Sequence, residues 1–154
     1  HEFSLRSSTE NVPGIVGFAT AVKISNSSDI KKMERLRDYI INEILKIPNT
    51  RLNGPKIEKD VGRLCNNINI SFKGVDGETI GSYLNSKGIF ISTGSACSSK
   101  STEPSHVLTA LGLNSKEAES SIRVSISKYT TNEEIDYFLE ELKKIVDKIR
   151  RVGF

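Results

Sequence analysis

The sequence is poor in several features, and each shortage excludes a class of protein. Its 154 residues include no tryptophan and two cysteines, Cys65 and Cys97, which are too few for a disulfide framework and favour a reducing compartment such as the cytoplasm. No apolar run approaches the roughly 20 residues of a membrane span, and no signal peptide is recognisable. Positive charges exceed negative ones by only 22 − 19 = 3, too small an excess to indicate nucleic-acid binding.

Histidine is also scarce, which bears on metal binding. The two histidines, His1 and His106, do not stand at metal-ligand spacing from either cysteine, so we expect no metal site. The content of 36% hydrophobic and 27% charged residues is typical of a globular chain. The length fits one domain spanning residues 1–154.

Hydrophobic periodicity predicts the helices and strands. Apolar residues recur at helical spacing over 15–22 and 33–47, and we expect both stripes to pack into the core. Alternating apolar and polar residues over 67–72 and 122–127 predict two strands that are each buried on one face. We also expect an extended piece at 51–55, a helix around 80–84, a strand at 89–91, a helix after Pro104 and a helix from Thr131. The predicted order is therefore α-α-β-β-α-β-α-β-α. This order indicates an α+β fold, in which helices cover a small sheet.

Cys97 is the candidate nucleophile. It stands among small residues in the segment GSACSS at 94–99, between an apolar run and Pro104. A thiol attacks as its thiolate and needs access, which small neighbours provide. The residues alone allow a free loop thiol without a role just as well. Cys65, beside Leu64 at the entrance to a strand, is interpreted as incidental, and His106 as a surface residue.

Arg123 is the candidate binding residue. It lies inside the second alternating segment, out of phase with Ile122 and Val124, so its side chain should leave the apolar face. An arginine in a strand needs a partner, which can be a bound carboxylate or a neighbouring acid in an edge-strand salt bridge. Both interpretations are open at this stage.

Three segments resemble cysteine desulfurases, the pyridoxal-phosphate enzymes of the class V aminotransferase type. The segment at 94–99, followed by EPSHVL at 103–108 and ALGL at 110–113, resembles their active-site segment in the long-loop branch that feeds iron–sulfur cluster assembly. SIRVS at 121–125 resembles their carboxylate-binding segment. RSSTEN at 6–11 resembles a segment that reaches the cofactor phosphate, although Ser8 stands where that family usually has glycine. The three matches are specific together and weak alone.

The resemblance implies a role for three residues. Cys97 would take sulfur from L-cysteine as a persulfide, leaving L-alanine, and pass it to an iron–sulfur scaffold or another acceptor protein. Arg123 would hold the substrate's α-carboxylate. Thr9 would contact the pyridoxal phosphate of the partner subunit in a homodimer. The fold implied is the C-terminal domain of a class V (fold type I) pyridoxal-phosphate enzyme.

One expected motif is missing. The cofactor lysine of the family follows a histidine, but Glu2 follows His1 and Val107 follows His106 in this sequence. We therefore expect residues 1–154 to be one C-terminal domain of a larger enzyme, without the cofactor-lysine domain and inactive alone. Three alternatives stay open: a related class V enzyme such as a selenocysteine lyase or an aminotransferase, a non-catalytic sulfur-relay or partner-binding module, and a purely structural α+β domain.

Overall fold

A four-stranded antiparallel sheet forms the centre of the structure. The computed structural model describes residues 3, 5, 7–57, 62–93 and 104–152. The strands are β1 (Thr50–Leu52), β2 (Asn67–Phe72), β3 (Ser92–Thr93) and β4 (Ser121–Ser125), in the spatial order β1-β2-β4-β3. Strand β4 is therefore an interior strand, paired with β2 on one side and with β3 on the other.

Three of the six described helices cover one face of this sheet. The described helices are α1 (Val12–Ile24), α2 (Ser27–Ile44), α3 (Gly77–Asn85), α4 (His106–Ala110), α5 (Ser115–Glu119) and α6 (Asn132–Val152). Helices α2, α3 and α6 pack with the apolar face of β2 and β4 in a single core, which includes Ile40, Ile70, Leu84, Ile122 and Leu142. Among the described residues, no helix has both the length and the apolar content for a bilayer crossing.

The predicted helix starts and strand phases are confirmed for the elements of this core. Asn26 caps α2 by accepting a hydrogen bond from the Asp29 amide at 2.9 Å. Before α6, which was predicted to begin at Thr131, the Thr131 and Glu134 side chains each accept a hydrogen bond from the other's backbone N–H, at 3.2 and 2.9 Å, forming a capping box. The second apolar stripe packs into the core as predicted, with Ile40 fully buried.

The prediction that the first stripe packs into the core is wrong. Helix α1 has no buried residue. Its large apolar side chains are 56% to 74% exposed, with Phe18 the most exposed of them: Val12, Ile15, Val16, Phe18, Val22 and Ile24. These residues point in all directions around the helix, a distribution that is typical of a helix covered on several sides. The described part of the chain does not cover it.

Two boundaries also differ from the predicted ones, and one helix was not predicted. The strand expected at 89–91 is β3, two to three residues later, because its partner is β4, in the register Ser92 to Arg123. The helix expected at Pro104 begins at His106. An unpredicted helix, α5, follows it and packs near β2, with Leu108, Leu113 and Ala118 forming a small second apolar cluster.

Candidate functional site

The face of the sheet opposite the core is polar, and it carries the candidate site. Strand register places Asn69 of β2, Arg123 of β4 and Ser92 of β3 in one row across three strands. Side chains alternate along a strand, so the burial of Ile122 and Val124 in the core directs Arg123 to the opposite face. The row Asn69–Arg123–Ser92 therefore lies on the face that the core helices leave open.

The Arg123 guanidinium is held by one neutral contact. Its Nη2 donates a hydrogen bond to the Ser92 hydroxyl oxygen at 3.2 Å, and the side chain is exposed. No carboxylate in the described part of the chain forms an ion pair with it. The edge-strand salt bridge considered above is therefore absent among the described residues, and β4 is an interior strand. A guanidinium offers five N–H donors, and most of these remain available to a planar anion.

A buried polar network lies beside this row. Asn53 is 2% exposed, and its Nδ2 donates to Asn69 Oδ1 at 2.7 Å and to the Ser71 hydroxyl at 2.8 Å. The Ser71 and Ser121 hydroxyl oxygens are 2.7 Å apart, and Ser121 donates to the Glu117 carbonyl of α5 at 2.6 Å. Asn69 thus hydrogen-bonds to Asn53, whereas Ser92 is the described neighbour that hydrogen-bonds to Arg123.

Two arginines stabilise the segment that carries Asn53. Arg63 Nη2 donates to the Asn53 carbonyl at 2.8 Å, and its Nε donates to the Pro55 carbonyl at 2.9 Å. Arg37 in turn donates to the carbonyls of Arg63 and Leu64 at 3.0 and 3.1 Å. Burial lowers the pKa of the Arg63 guanidinium, and the nearby Arg37 charge lowers that pKa further. These arginines bind backbone carbonyls, so their role is to fix the loop.

Sequence reasoning did not identify this network. Asn53, Ser71 and Ser121 are up to 68 residues apart in the chain, and nothing in their spacing predicts that they meet. One signal was present: β2 alternates Asn and Ser with isoleucine and phenylalanine, which indicates a face with hydrogen-bonding capacity.

Thr9 lies before α1 and is exposed. The Ser8 hydroxyl donates to its backbone carbonyl at 3.1 Å, while the Thr9 hydroxyl has no hydrogen-bond partner in the part of the chain that the structure describes. The hydroxyl is thus available to a group from outside. No hydrogen bond links Thr9 to the Asn69–Arg123–Ser92 row. Thr9 and Arg123, which were both predicted as site residues, are therefore not joined by a hydrogen bond in the structure.

Cys97 lies outside the described residues, within 94–103. In the sequence it follows the end of β3 by four residues, so the strand that contributes Ser92 leads directly into its segment. Cys65 is a free, half-buried cysteine in the turn before β2. His106 is exposed at the start of α4, as expected of a surface histidine.

The fold of this chain matches that of solved proteins. A NifS-like protein and a NifS-like protein from Rickettsia africae ESF-5 have the same arrangement, with TM-scores of 0.76 and 0.74 and identities of 34% and 33%. The match covers 94% of this chain and 36% and 37% of theirs. Residues 2–138 match the aminotransferase class-V family. The chain belongs to that family, which confirms the predicted fold class.

Curated relatives within the family are named cysteine desulfurase IscS. The protein from Methanosarcina thermophila is 44% identical over 152 residues, and that from Dictyoglomus turgidum is 43% identical over 156 residues. One from Archaeoglobus fulgidus, cysteine desulfurase IscS 1, is 44% identical over 155 residues. These matches cover 96% to 99% of this chain and 36% to 40% of the relatives. The chain thus spans less than half the length of the relatives it matches.

Proposed function

We propose that this chain is the C-terminal domain of a cysteine desulfurase, a sulfurtransferase that converts L-cysteine to L-alanine and forms a persulfide on Cys97. The observation that carries the proposal is Arg123: its exposed guanidinium lies on an interior strand, next to the strand that leads to Cys97, and has no ion-pair partner among the described residues. The names of the relatives support the same reaction. The persulfide sulfur then passes to an acceptor protein of iron–sulfur cluster assembly.

Arg123 binds the α-carboxylate of L-cysteine in this proposal. Its planar guanidinium matches a carboxylate with two parallel hydrogen bonds, a geometry that lysine cannot provide. The Ser92 hydroxyl is neutral, so it orients the guanidinium without cancelling the charge that attracts the substrate. The buried network around Asn53 joins residues of β2 and β4, the strands that carry Asn69 and Arg123.

Cys97 accepts the sulfur. Its thiolate attacks the sulfur of bound cysteine, a sulfur–sulfur bond forms, and the carbon–sulfur bond of the substrate breaks. The carbon keeps the electron pair and takes a proton, which gives the methyl group of alanine. Cys97 is left as a persulfide, and a second thiolate on the acceptor can remove its outer sulfur.

Pyridoxal phosphate is the cofactor that the family implies. When bound, it supplies an electron sink for the substrate carbon. Thr9 fits a contact with its phosphate, because the Thr9 hydroxyl is exposed and has no hydrogen-bond partner among the described residues. We propose that this contact is made to the cofactor of the partner subunit in a homodimer. The attachment lysine is not expected in this chain, since neither histidine is followed by lysine.

Two observations support the proposal that residues 1–154 are one domain of a larger enzyme. The chain spans 36% to 40% of the length of the relatives named above. Helix α1 presents apolar side chains all round and buries none of them. An apolar helix of this kind requires other protein to cover it. We propose that the remainder of the enzyme does so, that this chain alone is inactive, and that the enzyme works in the cytoplasm, where its two cysteines stay reduced.

The experiment that tests the proposed function replaces Arg123 by alanine in the complete enzyme. A hydrogen-bonded contact to a charged group is worth ~1.5–3 kcal/mol, so the KM for L-cysteine should rise roughly 10- to 150-fold. Arg51→Ala is the matched control, because Arg51 lies on the same sheet face but pairs with Glu117 at 3.3 Å. An unchanged KM together with a lowered melting temperature would show that Arg123 is structural and would remove the proposal's main support.

A further inference from the structure

Ser92 is the one described residue whose side chain contacts the Arg123 guanidinium. The two residues face each other across β3 and β4, 31 positions apart in the chain, and the bond joins Nη2 to the hydroxyl oxygen at 3.2 Å. On the other side of Arg123, the Asn69 amide oxygen accepts from Asn53 at 2.7 Å, and no hydrogen bond joins Asn69 to Arg123 among the described residues. Among the described residues, the Ser92 hydroxyl is therefore the one side-chain group that hydrogen-bonds to the Arg123 guanidinium.

We propose that Ser92 is the positioning residue for Arg123: it fixes the guanidinium in the orientation that receives the substrate carboxylate. This inference rests on the proposed function of Arg123 and deepens it. An exposed arginine side chain has several rotatable bonds and loses rotamer freedom when it binds. A hydroxyl that already holds one of its N–H groups reduces that loss, because the remaining donors start close to their bound orientation.

The chemistry of serine suits this role better than that of an acid. A carboxylate at position 92 would pair with Arg123 and compete with the substrate. The serine hydroxyl accepts one hydrogen bond, leaves the positive charge unneutralised and occupies little space. Since β3 ends at Thr93, the same short strand that orients Arg123 leads into the segment of Cys97. Strand β3 thereby connects Ser92, the neighbour of Arg123, to the segment that contains Cys97.

The test uses the complete enzyme with Ser92→Ala, Ser92→Thr, Arg123→Ala and the double variant. Loss of one hydrogen bond at an exposed site should raise the KM for L-cysteine roughly 2- to 10-fold in Ser92→Ala. We expect kcat within about twofold of the unchanged enzyme, and Ser92→Thr, which keeps the hydroxyl, should restore most of the KM. In the double variant the KM should match that of Arg123→Ala alone, because Ser92 acts through the arginine.

Ser125→Ala is the matched control. Ser125 lies on β4 two residues from Arg123, on the same face of the sheet, and its hydroxyl has no hydrogen-bond partner among the described residues. It should leave KM unchanged. Comparing inhibition by L-alanine and by ethylamine adds a second readout, because only L-alanine has a carboxylate. Ser92→Ala should weaken inhibition by L-alanine and not by ethylamine.

The outcomes separate this inference from the function on which it rests. A raised KM in Arg123→Ala with a normal KM in Ser92→Ala would overturn the positioning role alone. A normal KM in both variants would overturn the proposed carboxylate site and the positioning role together. Equal losses in Ser92→Ala and Ser92→Thr, or equal loss of inhibition by both amines, would show that Ser92 affects only the packing of the sheet.

Discussion

Helix α1 provides a quantitative test of the domain architecture. Phe18 is 74% exposed in this chain, whereas Ile40 of α2 is 0% exposed. Full burial of a large apolar side chain contributes ~1.5–3 kcal/mol, so the roughly one quarter of Phe18 that is covered contributes roughly 0.4–0.8 kcal/mol. Replacing a fully buried isoleucine by alanine costs about 2–5 kcal/mol. In the 154-residue chain, Ile40→Ala should therefore destabilise several times more than Phe18→Ala.

In the complete enzyme, the cost of Phe18→Ala should rise to about that of Ile40→Ala. If the remainder of the enzyme covers α1, Phe18→Ala there should cost about 3–5 kcal/mol, the usual loss for a buried phenylalanine. Urea unfolding followed by far-ultraviolet circular dichroism measures both chains, and the denaturant slope checks that the same transition is compared. Phe18→Ala costing as much as Ile40→Ala in the 154-residue chain would show that α1 packs on this chain's own core. An equally small cost in the complete enzyme would refute the covering of α1.

Two further predictions concern the buried network and the cofactor. Asn53→Ala in the 154-residue chain removes the hydrogen bonds to Asn69 and Ser71 and should cost about 1–3 kcal/mol in the same urea experiment; an unchanged midpoint would show that the network contributes nothing to stability. The 154-residue chain, mixed with pyridoxal phosphate and freed of excess, should show no visible absorption band, because the attachment lysine is not expected here. A stable band that disappears on replacing one specific lysine would contradict this expectation.

The parts of the fold that could be predicted are those in which the pattern depends on the chain's own core. Residues 67–72 alternate because one face of β2 packs on α2 and α6, and the pattern records that burial directly. Helix α6 shows the same in its long apolar seam, and its capping box is a local motif. Strand β3 was misplaced because a two-residue strand is defined by its pairing with β4, which no local pattern encodes.

Helix α1 shows the limit of hydrophobic periodicity. An apolar stripe predicts that a helix will be covered but does not identify the covering surface. In α1 the apolar residues surround the helix, whereas in α6 they lie on a single face, and this difference is present in the sequence itself. The candidate site likewise has one feature that the sequence predicts and one that it does not. The phase of Arg123 in β4 predicted its direction, whereas its contact with Ser92 depends on strand order.

The destination of the sulfur tests the central claim most directly. The complete enzyme is incubated with L-cysteine without reductant, and the persulfide is trapped by alkylation. The protein is then digested, and the peptide masses are measured by mass spectrometry. The added sulfur should lie on the peptide that contains Cys97. Cys97→Ser should abolish sulfide release, because a hydroxyl is a far weaker nucleophile toward sulfur than a thiolate, while Cys65→Ser should keep most of the activity. Persulfide mainly on Cys65, or full turnover by Cys97→Ser, would contradict the account.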